Sequence, residues 1–237
     1  FLDSGAYSAW SKKVGISLQE YINFIQAHPE AFTVYAGLDV IGDPGKTWEN
    51  QQEMERQGLH PLPCYHYGED PMWLKRYLGR HDYIALGGLV PISTPDCRSW
   101  LDRVFSDFLV DQKGQPRVKV HGFGMTVVEL MLRYPWYSVD STSWVLTGRF
   151  GSCYIPLNGK IHKVCFSDKS PNIREAGKHF RTHSRLEQKA IERYLTEKKF
   201  TPKELAEQYQ KRDELNIIFF LDLEKNWKTQ PFRREQM

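Results

Sequence analysis

The chain has 237 residues, 41% of them hydrophobic, and a formal net charge of +3. That is length enough for one large α/β domain, or a domain with an appendage, built on a real core. Its longest apolar stretches fall far short of the roughly 18 residues a membrane span needs, no signal peptide is visible, and Cys64, Cys97, Cys153 and Cys165 are spaced without a Cys-x-x-Cys pattern. These features exclude a membrane-spanning or disulfide-stapled class and lead us to expect reduced thiols and a soluble, cytoplasmic protein.

Phe1-Leu2 leads into Asp3-Ser-Gly-Ala-Tyr7-Ser-Ala-Trp10, which reads as a strand ending in a functional loop; because the chain opens in mid-strand, an N-terminal piece is expected to be missing. Ser17 and Glu20 have the spacing of a capping box, and Leu18, Tyr21, Ile22 and Ile25 give a helical stripe. Residues 32–38 predict a strand ended by Asp39, residues 47–57 a helix stopped by Gly58, and residues 62–65 a strand ending at His66-Tyr67-Gly68. Asp70 caps a helix that starts at Pro71. Residues 83–86 predict a strand ending in Gly87-Gly88-Leu89, residues 99–108 a helix, and residues 118–120 a strand ending in His121-Gly-Phe-Gly124. Thr126 and Glu129 have capping-box spacing for a helix through Arg133, Asp140 ends the next apolar run, and residues 150–155 offer one more strand. Strand, loop and helix thus repeat with short connections, the pattern of a parallel sheet with crossover helices. About seven such units suit an N-terminally truncated (β/α)8 TIM-like barrel over residues 1–167 better than an open sheet, and no phosphate-binding glycine loop supports the nucleotide-binding alternative.

Beyond Ser170 the character changes. Residues 184–197 and a stretch from Thr201 to about residue 212 read as charged helices, and 216–221 as a last strand or a buried segment. Residues 168–237 are therefore expected to be a helical C-terminal extension packed on the barrel. Residues 171–237 hold 15 Lys/Arg against 11 Asp/Glu, whereas residues 1–170 hold 17 against 18. A nucleic-acid footprint and ordinary solvated helices both account for that excess.

Asp3, Asp39, His66, Gly87-Gly88, His121-Gly122 and Asp140 each directly follow an apolar strand core. In a barrel all those ends converge on one mouth, where active sites are built. Turn chemistry alone enriches Asp and Gly after strands, but the regularity favours a shared site. Paired carboxylates suit the breaking of a glycosidic bond, one attacking or stabilising the anomeric carbon and another moving a proton. A metal site is the rival, since Asp and His also hold divalent ions.

Asp3-Ser-Gly-Ala-Tyr-Ser resembles the Asp-Ser-Gly-Gly-Phe/Tyr-Gln motif of the tRNA-guanine transglycosylase superfamily. Leu86-Gly-Gly-Leu89 resembles its Gly-Gly-Leu loop, His121-Gly-Phe-Gly124 its Met-Gly-Val-Gly segment, and Val139-Asp140 falls where its nucleophilic Asp follows. The order matches over residues 1–155 or so, and the variant motifs are most similar to the phage and bacterial branch that acts on DNA (the DpdA type). The resemblance implies a pentosyltransferase that exchanges guanine for a 7-deazaguanine such as preQ0 through a covalent aspartyl–nucleoside intermediate. It implies Asp140 as nucleophile and Asp3 as the proton-handling group. Tyr7 would stack on the heterocycle, Asp39 would read its Watson–Crick edge, and Gly88 and Leu89 would offer it backbone groups. His66 stands where the family has a Gln on the base and His121 where it has a Met. The expected partners are DNA, the incoming base and a helper protein, with tRNA as the alternative substrate and an inactive nucleic-acid-binding barrel as a further one.

A carboxylate suits exchange because it can leave again, and the target base must be flipped out or single-stranded. Tyr7, Trp10 and Trp144 would offset unstacking, and Arg149, Arg181 and Arg185 are candidate phosphate contacts. No cofactor is required and no metal ligand is expected among the site residues. The chain lacks the Cys-x-Cys-x-x-Cys zinc cluster of the tRNA enzymes; Cys153, Cys165, His179 and His183, with the two histidines four apart on an expected helix, are the remaining candidates for a structural zinc.

Overall fold

The computed structural model describes residues 1–90, 92–226 and 230–232. Residues 227–229 and 233–237 of the expected C-terminal extension lie outside the described residues. By their contacts the residues divide into two units, 1–140 with 230–232 and 141–226, a different division from the boundary read at residue 167.

In the first unit, β1 (Cys64–His66), β2 (Tyr83–Gly87), β3 (Lys119–Gly122) and β4 (Ser138–Val139) form a parallel sheet in chain order. Two single-residue parallel bridges continue the ladder: Leu2 beside Tyr35, and Ala36 beside Leu62. Backbone hydrogen bonds from Leu2 N–H to Val34 O (2.8 Å), Ala36 N–H to Leu2 O (2.9 Å) and Gly37 N–H to Leu62 O (2.9 Å) hold them. Six extended segments therefore run side by side. The strand read at 32–38 is represented by those two bridges, at Tyr35 and Ala36.

Parallel neighbours need long crossovers, and helices supply them: Ala6–Lys12 and Leu18–Ala27, then Pro44–Arg56, Pro71–Leu78, Thr94–Val104 and Val128–Arg133. Three begin by one device. Asp43, Asp70 and Ser93 accept backbone N–H groups of Lys46, Met72 and Asp96, and a proline stands in each first turn, where its missing N–H costs nothing. The helix read at 99–108 starts earlier and passes into a wider π-type turn at Phe105–Leu109. The capping box read at Thr126 and Glu129 does not form; Val127 occupies the cap position with no side-chain bond.

The sheet is strongly curved. In a flat sheet the first and fifth segments would stand about 19 Å apart at a spacing of ~4.8 Å. Instead the Phe1 and His121 rings stack with centroids 4.6 Å apart. Elsewhere in this unit Phe105, fully buried, stacks on Tyr134 (4.7 Å) and meets Trp136 edge-on (5.0 Å). The Tyr134 hydroxyl donates to Asp102 (2.6 Å), which also pairs with Arg133 (3.0 Å).

In the second unit, β5 (Ser152–Leu157) and β6 (Lys160–Cys165) form an antiparallel hairpin closed by Asn158-Gly159, both at positive φ (53° and 73°), the geometry favoured for two-residue hairpin turns. The strand read at 150–155 thus belongs to a hairpin, not to the parallel series. Its Cys153, Ile155 and Leu157 pack with Ile191 and Leu195 of helix Arg185–Glu197 and Leu215 of helix Tyr209–Lys225. The run at 216–221 is accordingly helical. Arg212, Leu215, Asn216 and Phe219 form its buried stripe at helical spacing. Arg212 Nε donates to Gly148 O (2.7 Å), and Asn216 accepts from Tyr154 N–H (2.9 Å) while donating to Trp144 O (3.0 Å). His179 and His183 do not share a helix but flank the short 3-10 turn Phe180–Thr182. Among the described residues no helix is long and apolar enough to cross a membrane.

Candidate functional site

Because all six segments run parallel, the residues at and just beyond their C-terminal ends lie toward one edge of the sheet. That edge carries Asp3, Asp39, His66, Gly88, Leu89, His121 and Asp140.

Asp140 follows β4. Its backbone N–H donates to Gly122 O (3.2 Å), and its Oδ1 accepts the Gly124 N–H (2.6 Å). Gly124 reaches that position with φ +61°, a conformation that favours glycine. About half of the Asp140 side chain stays exposed. Partial burial raises its pKa above the ordinary carboxylate value, and the Gly124 N–H opposes this.

Asp140 faces His121. The His121 Nε2 lies 3.8 Å from Asp140 Oδ1 and is buried without a hydrogen bond. Its Nδ1 lies 2.7 Å from Ser138 Oγ, which in turn lies 2.7 Å from the Tyr83 hydroxyl. Tyr83, Ser138 and His121 thus form a chain across three neighbouring strands. If each hydroxyl donates toward the histidine, Nδ1 accepts and Nε2 carries the proton facing Asp140. Burial pushes the His121 pKa down to about 4, so the ring is neutral at neutral pH. Phe1 stacks on one side of it and Phe123 meets it edge-on (4.5 Å).

A second cluster stands at the ends of the preceding segments. Asp39 Oδ2 lies 3.4 Å from His66 Nε2, and His66 Nδ1 lies 3.1 Å from Glu69 Oε1. Glu69 also accepts the His66 backbone N–H (3.1 Å). Burial raises the Asp39 pKa against the opposing pull of His66. Burial works against charge on His66 itself, but Cys64, Asp39 and Glu69 hold its pKa above the usual histidine value. Burial pushes the neighbouring Cys64 thiol up to about 12.

Asp3 accepts the Gly5 N–H (3.4 Å), and Gly5 at φ +74° turns the chain into helix Ala6–Lys12. Burial raises the pKa of Tyr21, and the Asp3 and Asp39 carboxylates add to the shift. Tyr7 is 53% exposed and sits beside Trp10 (centroids 6.0 Å), an aromatic pair open to solvent. Gly88 is exposed at φ +68°, and the carbonyl of the buried Leu89 accepts from Ile92 N–H (3.3 Å).

The structure therefore joins Asp39 with His66, and His121 with Asp140. It also adds Cys64, Glu69, Ser138 and Tyr83, which the sequence reading had passed over. Alternation along a strand puts residues i and i+2 on one face, so Cys64-Tyr-His66 carried a readable signal.

Trp144 and Arg149 lie on helix Ser143–Arg149 of the second unit; Arg149 and Arg185 are exposed, and Arg181 pairs with Asp168 (2.9 Å). The candidate zinc set does not assemble there. Cys153 Sγ lies 4.0 Å from Arg212 O, His179 Nδ1 accepts from Arg181 N–H (3.2 Å), and His183 Nδ1 lies 3.6 Å from Glu187. Among the described residues, Asp39, Cys64 and His66 are the His/Cys/Asp/Glu group close enough to hold an ion. Comparisons with protein-family models, curated proteins and solved structures return no match for the chain.

Proposed function

We propose that the chain is a glycosyl-transferring enzyme working through a carboxylate nucleophile on one edge of a curved parallel sheet. More particularly, it is a DNA guanine transglycosylase that inserts a 7-deazaguanine of the preQ0 kind, on a (β/α)8-type barrel. The observation that carries this reading is Asp140: a half-exposed carboxylate at a strand end, with one oxygen held by the Gly124 N–H and with Asp3 on the same edge. The contact between Phe1 and His121 supports barrel-like curvature.

In this reading Asp140 attacks C1′ of the target nucleoside. The C1′–N9 bond breaks, and guanine leaves with the electron pair while taking a proton from Asp3. The incoming base returns its N9 proton to Asp3, attacks C1′ and releases the Asp140 carboxylate, so atoms and charge balance over the cycle. Neutral His121, directing Nε2 at Asp140, would steady the carboxylate without neutralising it. Tyr7 would stack on the base, and Gly88 and Leu89 would contact its polar edge. Such chemistry requires the base outside the helix stack, a task a helper protein would share.

The test is exchange of labelled guanine in duplex DNA, single-stranded DNA and tRNA. Exchange is expected with DNA, to be abolished in Asp140→Asn, and to leave DNA binding largely intact. Exchange undiminished in Asp140→Asn removes the nucleophile, and exchange with tRNA alone replaces the substrate.

A further inference from the structure

We propose that Asp39, Cys64 and His66 form a binding site for a divalent transition-metal ion of zinc's class, with Glu69 orienting the histidine. One donor atom from each of the three lies within 4.8 Å of the others. Cys64 and His66 reach the same space because they stand two apart on β1, and Asp39 comes from the neighbouring segment.

Three features point to an ion. The Asp39 side chain is only 10% exposed, yet its Oδ1 is buried with no hydrogen-bond partner, a cost of about 1–3 kcal/mol that ligation would remove. Asp39 Oδ2 lies 3.4 Å from His66 Nε2, so the carboxylate and the ring nitrogen converge on one space. His66 turns Nε2 toward Asp39 and Nδ1 toward Glu69, and a carboxylate on the far nitrogen is the usual support of a metal-bound histidine. Gly87 lets the donors stand close: a Cβ there would lie 2.7 Å from Cys64 Sγ and 3.0 Å from the His66 ring and would push both aside.

The donor set selects the ion. One sulfur, one imidazole nitrogen and one carboxylate oxygen suit zinc, whereas magnesium or calcium would call for oxygen alone. Three protein ligands leave a fourth position for water or a substrate atom, as in reactive zinc sites. The assignment does not rest on base exchange. It moves Asp39 and His66 from reading a base to holding the ion, and it is measured by metal content.

The experiment uses the full chain, purified with zinc, stripped with a chelator and titrated with Co2+. About one zinc per chain is expected, and cobalt should give a sulfur-to-metal charge-transfer band. Cys64→Ser should abolish the band, while Cys153→Ser and Cys165→Ser should retain it. Glu69→Gln, which removes no ligand, should weaken affinity about 10–100-fold; it decides the matter should Cys64→Ser fail to fold. A folded wild-type chain without the band, a band surviving Cys64→Ser, or unchanged affinity in Glu69→Gln overturns the proposal.

Discussion

His121 makes the stability of the chain depend on acid in a calculable way. Its side chain is 4% exposed, packed between Phe1 and Phe123, and Asp140, 3.8 Å away, is the charged group facing it. Asp140 favours protonation but is half exposed, so burial dominates and holds the pKa at about 4 instead of 6.5. As pH falls below 6.5 the unfolded chain takes up a proton that the folded chain refuses until about pH 4. The folded state therefore loses stability across that window, has none to lose above it, and loses no more below it. At about 1.4 kcal/mol for each tenfold difference in proton affinity, the full effect is about 3 kcal/mol. Urea unfolding of wild type and His121→Asn at about pH 7 and about pH 4.5 isolates it. The asparagine can still meet Ser138 but cannot be protonated. Wild type should lose about 2–3 kcal/mol more than the variant between the two conditions. Equal losses would mean that the ring is already charged in the folded protein, and the neutral, Nε2-protonated histidine facing Asp140 would have to be given up.

Three further outcomes are expected. Gly87→Ala should cost about 1–3 kcal/mol by overpacking against Cys64 and His66, whereas Gly15→Ala, with nothing within 4 Å of the new methyl, should leave the melting temperature nearly unchanged. Phe105→Ala removes a fully buried ring stacked on Tyr134 and should cost about 3–5 kcal/mol in urea unfolding. Asn216→Leu strands the buried Tyr154 N–H and takes a donor from the Trp144 and Ser152 carbonyls. At about 1–3 kcal/mol for each group left unpaired, it should destabilise the second unit more than Ile218→Ala does, read by hydrogen exchange of the hairpin amides.

Where local chemistry governs, the sequence was informative. Asp70 before Pro71 and Thr201 with Glu204 are caps whose partners lie within three residues, and both form. The strand-to-helix alternation also led to the parallel sheet, because a polar residue interrupts each apolar run where it leaves the core. The misreadings came where a polar side chain does an apolar residue's work. The buried stripe of helix Tyr209–Lys225 includes Arg212 and Asn216, whose long-range bonds to Gly148, Trp144 and Tyr154 are invisible to a search for hydrophobic spacing. The apolar run at 216–221 then reads as a last strand or a buried segment. Asn158-Gly159 was a hairpin signal in plain view, but residues 150–155 were fitted to the parallel series and the pairing with β6 was missed. Cys64 and Glu69 were passed over because each strand end was read for its last residue, when the cluster is built from the strand face and the following turn.

Two histidines on one sheet edge illustrate how the same residue type can be set to opposite states. His66 has a carboxylate on each nitrogen, and with Cys64 those neighbours outweigh burial and raise its pKa, so an ion bound there would displace a proton from the ring. His121 has a hydroxyl on one nitrogen and an uncompensated contact on the other, and burial keeps it neutral. The difference follows from what the adjoining segments offer: Asp39 and the Glu69 turn in one case, Ser138 and Tyr83 in the other. A carboxylate paired with a protonated histidine is a weaker nucleophile than one beside a neutral ring. Asp140 lies beside the neutral ring and is not ion-paired with it, whereas Asp39 converges with Cys64 and His66 on one space. The same edge thus separates a donor-rich half from a half that, on the proposed reading, presents Asp140 as the nucleophile, and exchanging Ser138 for a carboxylate would favour the charged His121 and erase that separation.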